Sequence, residues 1–220
     1  MKNLLKITLT LLTGIVISVG IFRPGLLMGT SASTAVGNWY QQFLPNLGGR
    51  QLVDITFTDS LNGHAITTRL SATDTTFIIK TTNKGDSWFV SFHDSGVVYT
   101  SMQFINQSTG FVGGYIYKGG LFKIVKTTNA GVNWFYINAP FDVPISDLYS
   151  FNEDSIWLAS SSLTGNGGVF FTSNGGANWQ VQYQGNNPGH IYMYDRNLGF
   201  ISPPTTGALY RTTNSGLNWL

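Results

Sequence analysis

Acidic side chains that could catalyse a hydrolysis are scarce in this chain. Its 220 residues include ten of them, and Glu153 is the only glutamate. Two carboxyl groups about 5 to 10 Å apart, with pKa values driven apart by their surroundings, can hydrolyse a glycosidic bond. The sequence does not show that any two carboxyl groups converge. We therefore favour the interpretation that these aspartates are ordinary strand-edge and turn residues over a catalytic role. Five aspartates stand where a pair could form in the architecture described below: Asp54, Asp74, Asp94, Asp142 and Asp147.

Histidine and cysteine form no pattern that would hold a metal ion. His64, His93 and His190 lack the spacing of metal ligands, and the chain contains no cysteine. Transition-metal sites are built from such clusters. The sequence also contains no P-loop, no GxGxxG loop and no nucleophile elbow. We therefore predict no metal site and no cofactor.

The first 35 residues have the composition of a secretory signal peptide. Lys2 and Lys6 precede the apolar run ITLTLLTGIVISVGIF, residues 7–22. This run is short for a membrane span, which needs about 20 apolar residues. We expect residues 1–35 to be a signal peptide or, as the alternative, an uncleaved N-terminal anchor that would be the route to a membrane. The remaining chain is expected to be exported, to the periplasm, the cell surface or the medium.

The charge outside this leader gives no basis for binding nucleic acid. Without Lys2, Lys6 and Arg23, nine basic residues stand against ten acidic ones. A nearly neutral surface does not attract a polyanion. Because the chain has no cysteine, no disulfide framework supports it, and the fold depends on its apolar core alone.

Residues 36–220 repeat one pattern four times. Tryptophans at 88, 134, 179 and 219 are 46, 45 and 40 residues apart, in a chain with 26 glycines, 15 Phe and 10 Tyr. Each unit contains short aromatic and β-branched segments, such as LVDITF, GHAITT, TTFIIKTT and WFVSFH in the first. Periods of this length are typical of propeller blades. We predict an all-β protein, a β-propeller of four-stranded antiparallel blades, with four blades visible.

A polar turn precedes each of these tryptophans, as in KTTNKGDSW at residues 80–88. Its threonine and asparagine can bond neighbouring backbone groups, and its glycine suits a positive φ. The tryptophan can bury its ring against the hairpin. The four copies are Thr81, Asn83, Gly85, Trp88; Thr127, Asn129, Gly131, Trp134; Thr172, Asn174, Gly176, Trp179; and Thr212, Asn214, Gly216, Trp219.

These turns resemble the Asp-box, or bacterial neuraminidase repeat, S/T-x-D/N-x-G-x-x-W, with Asn where Asp is commoner. With an aromatic residue six positions before a glycine in Phe57–Gly63 and Phe104–Gly110, the sequence is most similar to propellers related to photosystem II assembly and stability factors. The resemblance implies a propeller over residues 37–220, with the turns at the blade periphery in an architectural role.

The resemblance also implies where a ligand would bind. In Asp-box enzymes the active site lies on the face formed by the loops between strands two and three and between successive blades. The candidate binding residues in or beside those loops are Arg69, Asp74, Asp94, Phe141, Asp142, Asn186, Asn187 and His190.

A sialidase would need three arginines around a carboxylate, a Tyr–Glu pair and an acidic proton donor. Arg23 lies in the leader and Arg211 belongs to the repeat. Arg196 and Glu153 fall in turns of the opposite face, and the two remaining arginines cannot form the site. We therefore assign no catalytic residue.

The sequence favours a non-catalytic protein- or glycan-binding or assembly module. A secreted glycoside hydrolase of the Asp-box propeller type is the alternative. An adhesive repeat segment of a larger surface protein is a third hypothesis. Converging carboxylates and aromatic side chains at the channel mouth would favour the enzyme, and a broad, weakly charged face would favour binding.

The segment VGNWYQQF, residues 36–43, resembles the end of a repeat, with Trp39 lying 49 residues before Trp88. Residues 39–44 could therefore form the outer strand of the fourth blade and close a ring. Closure would place both Trp39 and Trp219 at one tryptophan position. We therefore predict that the propeller over residues 36–220 is incomplete at its C-terminus and part of a larger ring, with unpaired edge strands.

Overall fold

The regular secondary structure of the described residues consists entirely of β strands. The structure is a computed structural model and describes residues 41–71, 74–118, 121–138, 144–161, 167–185, 187–204 and 206–220. Within those ranges the chain contains no helix, which confirms the all-β prediction. The signal-peptide prediction for residues 1–35 lies outside the described residues.

The strands form four antiparallel sheets, each built from strands that are consecutive in the chain. The first three sheets have four strands each and the fourth has three, so the predicted propeller blades are confirmed. The strands are β1 Leu52–Phe57, β2 Gly63–Thr67, β3 Thr75–Thr81, β4 Phe89–Ser95, β5 Val97–Phe104, β6 Gly110–Ile116, β7 Phe122–Thr127, β8 Phe135–Ile137, β9 Ile145–Ser150, β10 Ile156–Ser160, β11 Gly168–Thr172, β12 Gln180–Gln184, β13 His190–Met193, β14 Gly199–Ser202 and β15 Tyr210–Thr212.

The same register joins the first two strands of every sheet. In each sheet, the pair of residues nearest the turn between these strands is Phe57↔Gly63, Phe104↔Gly110, Ser150↔Ile156 or Met193↔Gly199. A Cβ on Gly63 would come within 2.8 Å of the Phe57 ring, and one on Gly110 within 2.7 Å of the Phe104 ring. This close approach explains the aromatic–glycine spacing in the sequence. Because the register is shared, residues of different sheets can be called equivalent.

Each sheet packs its apolar face on the next sheet. Two repeated positions make this contact. The first lies on the third strand of each sheet, three residues before the turn threonine. The second lies on the first, innermost strand of the following sheet. Within three separate buried clusters these two positions meet as Ile78 with Met102, Ile124 with Leu148, and Val169 with Ile191. All six residues are at most 6% exposed. Burial of this repeated contact joins neighbouring sheets.

The four polar turns share one hydrogen-bonding pattern, illustrated by the first. The Thr81 hydroxyl accepts the N–H groups of Asn83 (3.3 Å) and Gly85 (2.9 Å) and donates to the Asn83 side-chain oxygen at 2.9 Å. Gly85 has φ +93° and the preceding Lys84 has φ +66°. Two successive residues therefore have left-handed conformations, one more than the sequence indicated.

In the three four-stranded sheets, the tryptophan of the turn stands one residue before the outer strand rather than inside it. Trp88 is 9% exposed, and the three equivalent tryptophans are partly buried. The indole N–H of Trp134 donates to Ser91 Oγ at 3.1 Å, and that of Trp179 to the Asn138 carbonyl at 3.2 Å. Ser91 belongs to the outer strand of the first sheet, so Trp134 links the first and second sheets.

Leu220 pairs with the outer edge of the fourth sheet. Leu220 exchanges two backbone hydrogen bonds with Arg211, at 2.8 and 3.0 Å, at the position where Phe89 pairs with Lys80 in the first sheet. Within the described ranges, no backbone hydrogen bond joins residues 41–44 to residues 208–213. Residues 39 and 40 and the rest of the N-terminal repeat end lie outside those ranges, so the larger ring stays a prediction.

Candidate binding surface

An arginine–tyrosine stack lies on the loop face predicted to bind ligands. The Arg69 guanidinium carbon stands 3.4 Å from the centre of the Tyr117 ring. Arg69 follows β2 and Tyr117 follows β6, so the stack joins corresponding loops of the first two sheets. Leu70 follows Arg69 in the chain, and Leu121 closes the hairpin that carries Tyr117; they are 60% and 43% exposed, and Tyr117 is 48% exposed. We call these four residues the Arg69–Tyr117 surface.

Backbone hydrogen bonds between three loops hold this surface in place. The Gly96 N–H donates to the Asp74 carbonyl, and the Tyr117 N–H donates to the Gly96 carbonyl, each at 2.9 Å. Gly96 has φ +72°, which favours glycine at this crossing. The hairpin that carries Tyr117 is closed by a further bond from the Ile116 N–H to the Leu121 carbonyl, also at 2.9 Å. Tyr117 therefore lies on backbone that is hydrogen-bonded to the neighbouring loop.

A partly buried ion pair supports the first of these loops. Arg50 pairs with Asp74 and also donates to the carbonyls of Thr75 (2.7 Å) and Leu47 (2.6 Å). The Leu70 N–H donates to the second Asp74 oxygen at 2.6 Å. Hydrogen bonding from that N–H, aided by Arg50, lowers the pKa of Asp74. Asp74 thus shapes the loop beside Arg69, and its own oxygens are occupied.

Asp94 lies apart, between the outer strands of two sheets. Its Oδ2 accepts the hydroxyls of Tyr99 at 3.2 Å and Tyr136 at 2.9 Å. Burial and this bond raise the pKa of Tyr136 to about 12, and burial raises the pKa of Tyr99 as well. Lys123 Nζ stands 3.8 Å from the centre of the Tyr136 ring. The group consists of mutually satisfied partners.

The remaining described candidates, Asn187 and His190, lie at the start of β13. Asn187 Oδ1 accepts the Ser161 hydroxyl at 2.9 Å and the Gly189 N–H at 3.0 Å, which shapes the loop. The His190 ring is 85% exposed and stands 3.3 Å from Asp147. The structure therefore places Arg69 and Asp74 in one loop, where Asp74 bonds the neighbour of Arg69, and places Asp94 and His190 elsewhere. Phe141, Asp142 and Asn186 lie outside the described residues.

Sequence reasoning missed a row of equivalent polar residues on the innermost strands. Asp54 Oδ2 accepts the Met102 N–H (2.9 Å), Ser101 Oγ accepts the Leu148 N–H (3.3 Å), and Asp147 Oδ2 accepts the Ile191 N–H (3.0 Å). Each donor belongs to the next sheet, one residue beyond the position equivalent to its acceptor. The sequence does contain a signal for this row, because a polar residue recurs three positions before Phe57, Phe104 and Ser150. Asp54 and Asp147 are therefore connectors between sheets.

Four of the described carboxyl groups have a displaced pKa, and among them only Asp74 lies beside the loops of this face. Among the described carboxyls, those with a displaced pKa all have it lowered by hydrogen bonds or Lys126, namely Asp59, Asp74, Glu153 and Asp195. A general acid in glycoside hydrolysis needs a raised pKa. Within the same residues no cluster of three His, Asp or Glu could hold a metal ion.

The comparisons with known proteins concern the fold. No family model matches the chain, and no curated protein matches it. A structure of YCF48 bound to D1 peptide is similar with a TM-score of 0.56 and 14% identity, over 77% of this chain and 52% of that one. YCF48 from Cyanidioschyzon merolae is similar with a TM-score of 0.51 and 16% identity, over 74% of this chain and 48% of that one.

An ancestral GH74 enzyme is also similar, with a TM-score of 0.56 and 19% identity, over 82% of this chain and 25% of that one. The chain thus spans about half of the YCF48 chains and a quarter of the enzyme. These likenesses confirm the propeller fold and the resemblance to photosystem II factor-like propellers at the level of the fold. In the described part of the chain, no helix is long and apolar enough to cross a membrane.

Proposed function

We propose that this chain is an exported, non-catalytic binding or assembly module that takes a protein partner on the Arg69–Tyr117 surface. The observation that carries the proposal is the stack of Arg69 on a half-exposed tyrosine, in loops that also carry two exposed leucines. Export is proposed from the signal-peptide composition of residues 1–35.

The chemistry of this surface suits a peptide segment. Tyrosine and arginine are enriched among the residues that dominate protein interfaces. Arg69 spends one bond on the Ser71 carbonyl, at 2.6 Å, and its planar group is already oriented by the Tyr117 ring. A preoriented guanidinium loses little freedom on binding. A partner that presents a carboxylate or carbonyl beside apolar side chains would match Arg69, Leu70 and Leu121.

The similar YCF48 structure with a bound D1 peptide supports a protein partner over a glycan. That propeller binds a peptide, and its sequence is 14% identical to this chain over the matched region. The likeness supplies a precedent for the class of ligand, and the residues proposed here come from this chain's own surface.

The glycoside-hydrolase alternative draws support from the similar GH74 enzyme. Against it stand the engaged carboxyls: Asp54 and Asp147 bond the next sheet, Asp74 pairs with Arg50, and Asp94 bonds two tyrosines. Turnover of a polysaccharide by the purified chain would favour the hydrolase. The adhesive-segment hypothesis makes the same surface prediction as the binding module and differs in the size of the whole protein.

The test selects peptides from a random display library on the purified chain and measures their affinity for variants. We expect Tyr117→Ala and Arg69→Gln to raise the dissociation constant of the main selected peptide class at least tenfold. Tyr194→Ala is the matched control, because Tyr194 is 68% exposed and follows β13 in a turn of the opposite face. Selected peptides that bind both loop-face variants unchanged would overturn the proposal.

A further inference from the structure

A polar cleft lies on the face opposite the Arg69–Tyr117 surface, among the turns that join the first and second strands of the sheets. Each of these turns bonds the polar turn of its own sheet, as where the Ala130 N–H donates to the Ser108 carbonyl at 2.7 Å. The cleft has a volume of about 720 Å³, within the range of about 300 to 1,000 Å³ typical of small-ligand sites. Its lining residues are all polar: five from the second sheet, Thr58 of the first and Glu153 of the third.

Two amide side chains in the cleft are each held at one end and free at the other. Asn106 Oδ1 accepts the N–H groups of Ser108 at 2.8 Å and Thr109 at 2.7 Å, which leaves Nδ2 as a donor. Gln107 Nε2 donates to Asp59 Oδ2 at 3.1 Å, which leaves Oε1 as an acceptor. Because the bonded end fixes each amide, the free donor and the free acceptor are oriented before a ligand binds.

The one charged residue that lines the cleft is paired with a cation. The Glu153 carboxylate accepts Lys126 Nζ at 2.9 Å and the Thr109 hydroxyl at 3.3 Å. The bond from Lys126 lowers the pKa of Glu153. This balanced charge gives no basis for binding a phosphate or a metal ion, whereas the carboxylate keeps lone pairs for further donors. The exposed Ser108 and Thr128 add two hydroxyl groups that both donate and accept.

We propose that this cleft binds a neutral glycan, at a second site that does not depend on the protein partner proposed above. Neighbouring hydroxyl groups of a sugar each donate and accept hydrogen bonds. The cleft matches them with an oriented amide donor, an oriented amide acceptor, a paired carboxylate and two hydroxyls. A peptide fits less well, because the lining residues form no apolar pocket for its side chains. The chain would then hold a protein on one face and a polysaccharide on the other.

An isosteric change tests the amide donor without disturbing the turn. Asp59 and Asp195 occupy the positions equivalent to Asn106, and each Oδ1 accepts two backbone N–H groups in the same way. Asn106→Asp therefore keeps the turn and replaces the free donor by an oxygen. Asn152→Asp is the matched control, because Asn152 makes the same two bonds in the third sheet and does not line the cleft.

A second pair of variants tests the cleft by filling it. Thr128 is exposed in the polar turn of the second sheet, and Ser173 is exposed at the equivalent position of the third. Thr128→Trp places a large ring in the cleft, whereas Ser173→Trp places the same ring outside it. Both positions precede the turn asparagine and are used by no hydrogen bond of the described residues, so both variants should fold.

Binding is measured on an array of neutral and acidic oligosaccharides, followed by isothermal titration of the best-bound neutral one. Asn106→Asp and Thr128→Trp should each raise its dissociation constant about tenfold or more, and the two controls should bind as the parent chain does. An array on which no neutral oligosaccharide binds would overturn the proposal. A preference for acidic oligosaccharides, or an equal loss of affinity in the controls, would do the same.

Arg69→Gln separates this site from the protein-binding surface. It should weaken the selected peptides and leave the neutral oligosaccharide bound as in the parent chain. If the peptides fail to depend on Arg69 while the oligosaccharide still depends on Asn106, the proposed function fails and the glycan site stands. Selected peptides that lose affinity with Thr128→Trp and keep it with Arg69→Gln would show that the cleft takes a peptide, and would overturn the glycan proposal.

Discussion

His64 stacks on Phe104 across the junction of the first two sheets, and neither of its ring nitrogens has a hydrogen-bond partner in the described residues. The equivalent positions hold Phe111 and Trp157, both buried. The histidine therefore serves as an aromatic ring in a repeated apolar contact. Burial, together with the nearby charge of Lys80, lowers the pKa of His64 from 6.5 to about 4.

We predict that this junction is acid-sensitive. Between pH 6.5 and about 4, His64 is protonated in the unfolded chain and neutral in the folded chain. The free energy of unfolding therefore has its full value above pH 6.5 and decreases as the pH falls through that window. The loss attributable to His64 is about 3 kcal/mol. His64→Phe should remove it, giving a larger advantage over the parent chain in urea unfolding at pH 4.5 than at pH 7.5.

Comparison with the parent chain cancels the titration of carboxyls that both proteins share. Val132→Ala is the control, because Val132 is 68% exposed in a polar turn and neither side chain titrates, so its effect should be the same at both pH values. An equal advantage of His64→Phe at both pH values would contradict the prediction.

A second prediction concerns the indole that links two sheets. Trp134 donates to Ser91 and packs edge-on against Phe104, with ring centroids 6.1 Å apart. Trp134→Ala should destabilise the chain by about 3 kcal/mol, through lost packing at a junction. Asn129→Asp in the same turn should change stability by less than about 0.5 kcal/mol. Its side-chain oxygen accepts the Thr127 hydroxyl and the Asn133 N–H, which a carboxylate can also accept. Urea unfolding of both variants is the measurement.

The polar turns could be predicted from the sequence because their hydrogen bonds join residues at most four positions apart. The hydrogen bonds among Thr81, Asn83 and Gly85 determine the turn, and all three residues lie in one stretch of five. The roles of the aspartates could not be predicted in this way. The acceptor Asp54 and its donor Met102 are 48 residues apart, and they meet only because successive sheets share one register.

The same distance separates the residues of the proposed binding surface. Arg69 was predictable as a loop-face candidate from the strand order alone. Its stacking partner Tyr117 belongs to the next sheet and shows no local signal. Asp94 stood in a loop by sequence, yet the structure places it at the end of β4, bonded to Tyr136 of a neighbouring outer strand. Local sequence patterns therefore predict the turns, whereas the binding surface is formed by the packing of neighbouring sheets.

A third prediction separates backbone strain from steric conflict at the turn glycines. Gly176 has φ +95°, and an added Cβ would lie 2.2 Å from Ile137 Cγ2 on the preceding outer strand. Gly49 has φ +83° and nothing within 4 Å of an added Cβ. Gly49→Ala should cost about 1 to 2 kcal/mol from the left-handed backbone alone. Gly176→Ala should cost about 3 to 5 kcal/mol, because the junction must also move. Equal thermal unfolding shifts would show that the junction yields freely.

The last prediction concerns Asp147, an aspartate that could be read as catalytic or as structural. Its Oδ1 accepts the Ser101 hydroxyl and the Leu148 N–H, each at 2.8 Å, and its Oδ2 accepts the Ile191 N–H at 3.0 Å. Asp147→Ala removes the acceptor of the Ser101 hydroxyl and of the Ile191 N–H, which belong to the two neighbouring sheets, and should destabilise the chain by about 2 to 4 kcal/mol. Asp147→Asn keeps one acceptor oxygen and should cost less.

Asp86→Ala is the control for that measurement, because Asp86 is exposed in a polar turn and its loss should change stability by less than about 0.5 kcal/mol. Urea unfolding of the three variants gives the ranking. A catalytic Asp147 would give the opposite pattern, in which the alanine variant keeps the parent stability and loses turnover of a polysaccharide. A connector loses stability, and any peptide affinity measured for the Arg69–Tyr117 surface at low temperature is retained while the variant is still folded.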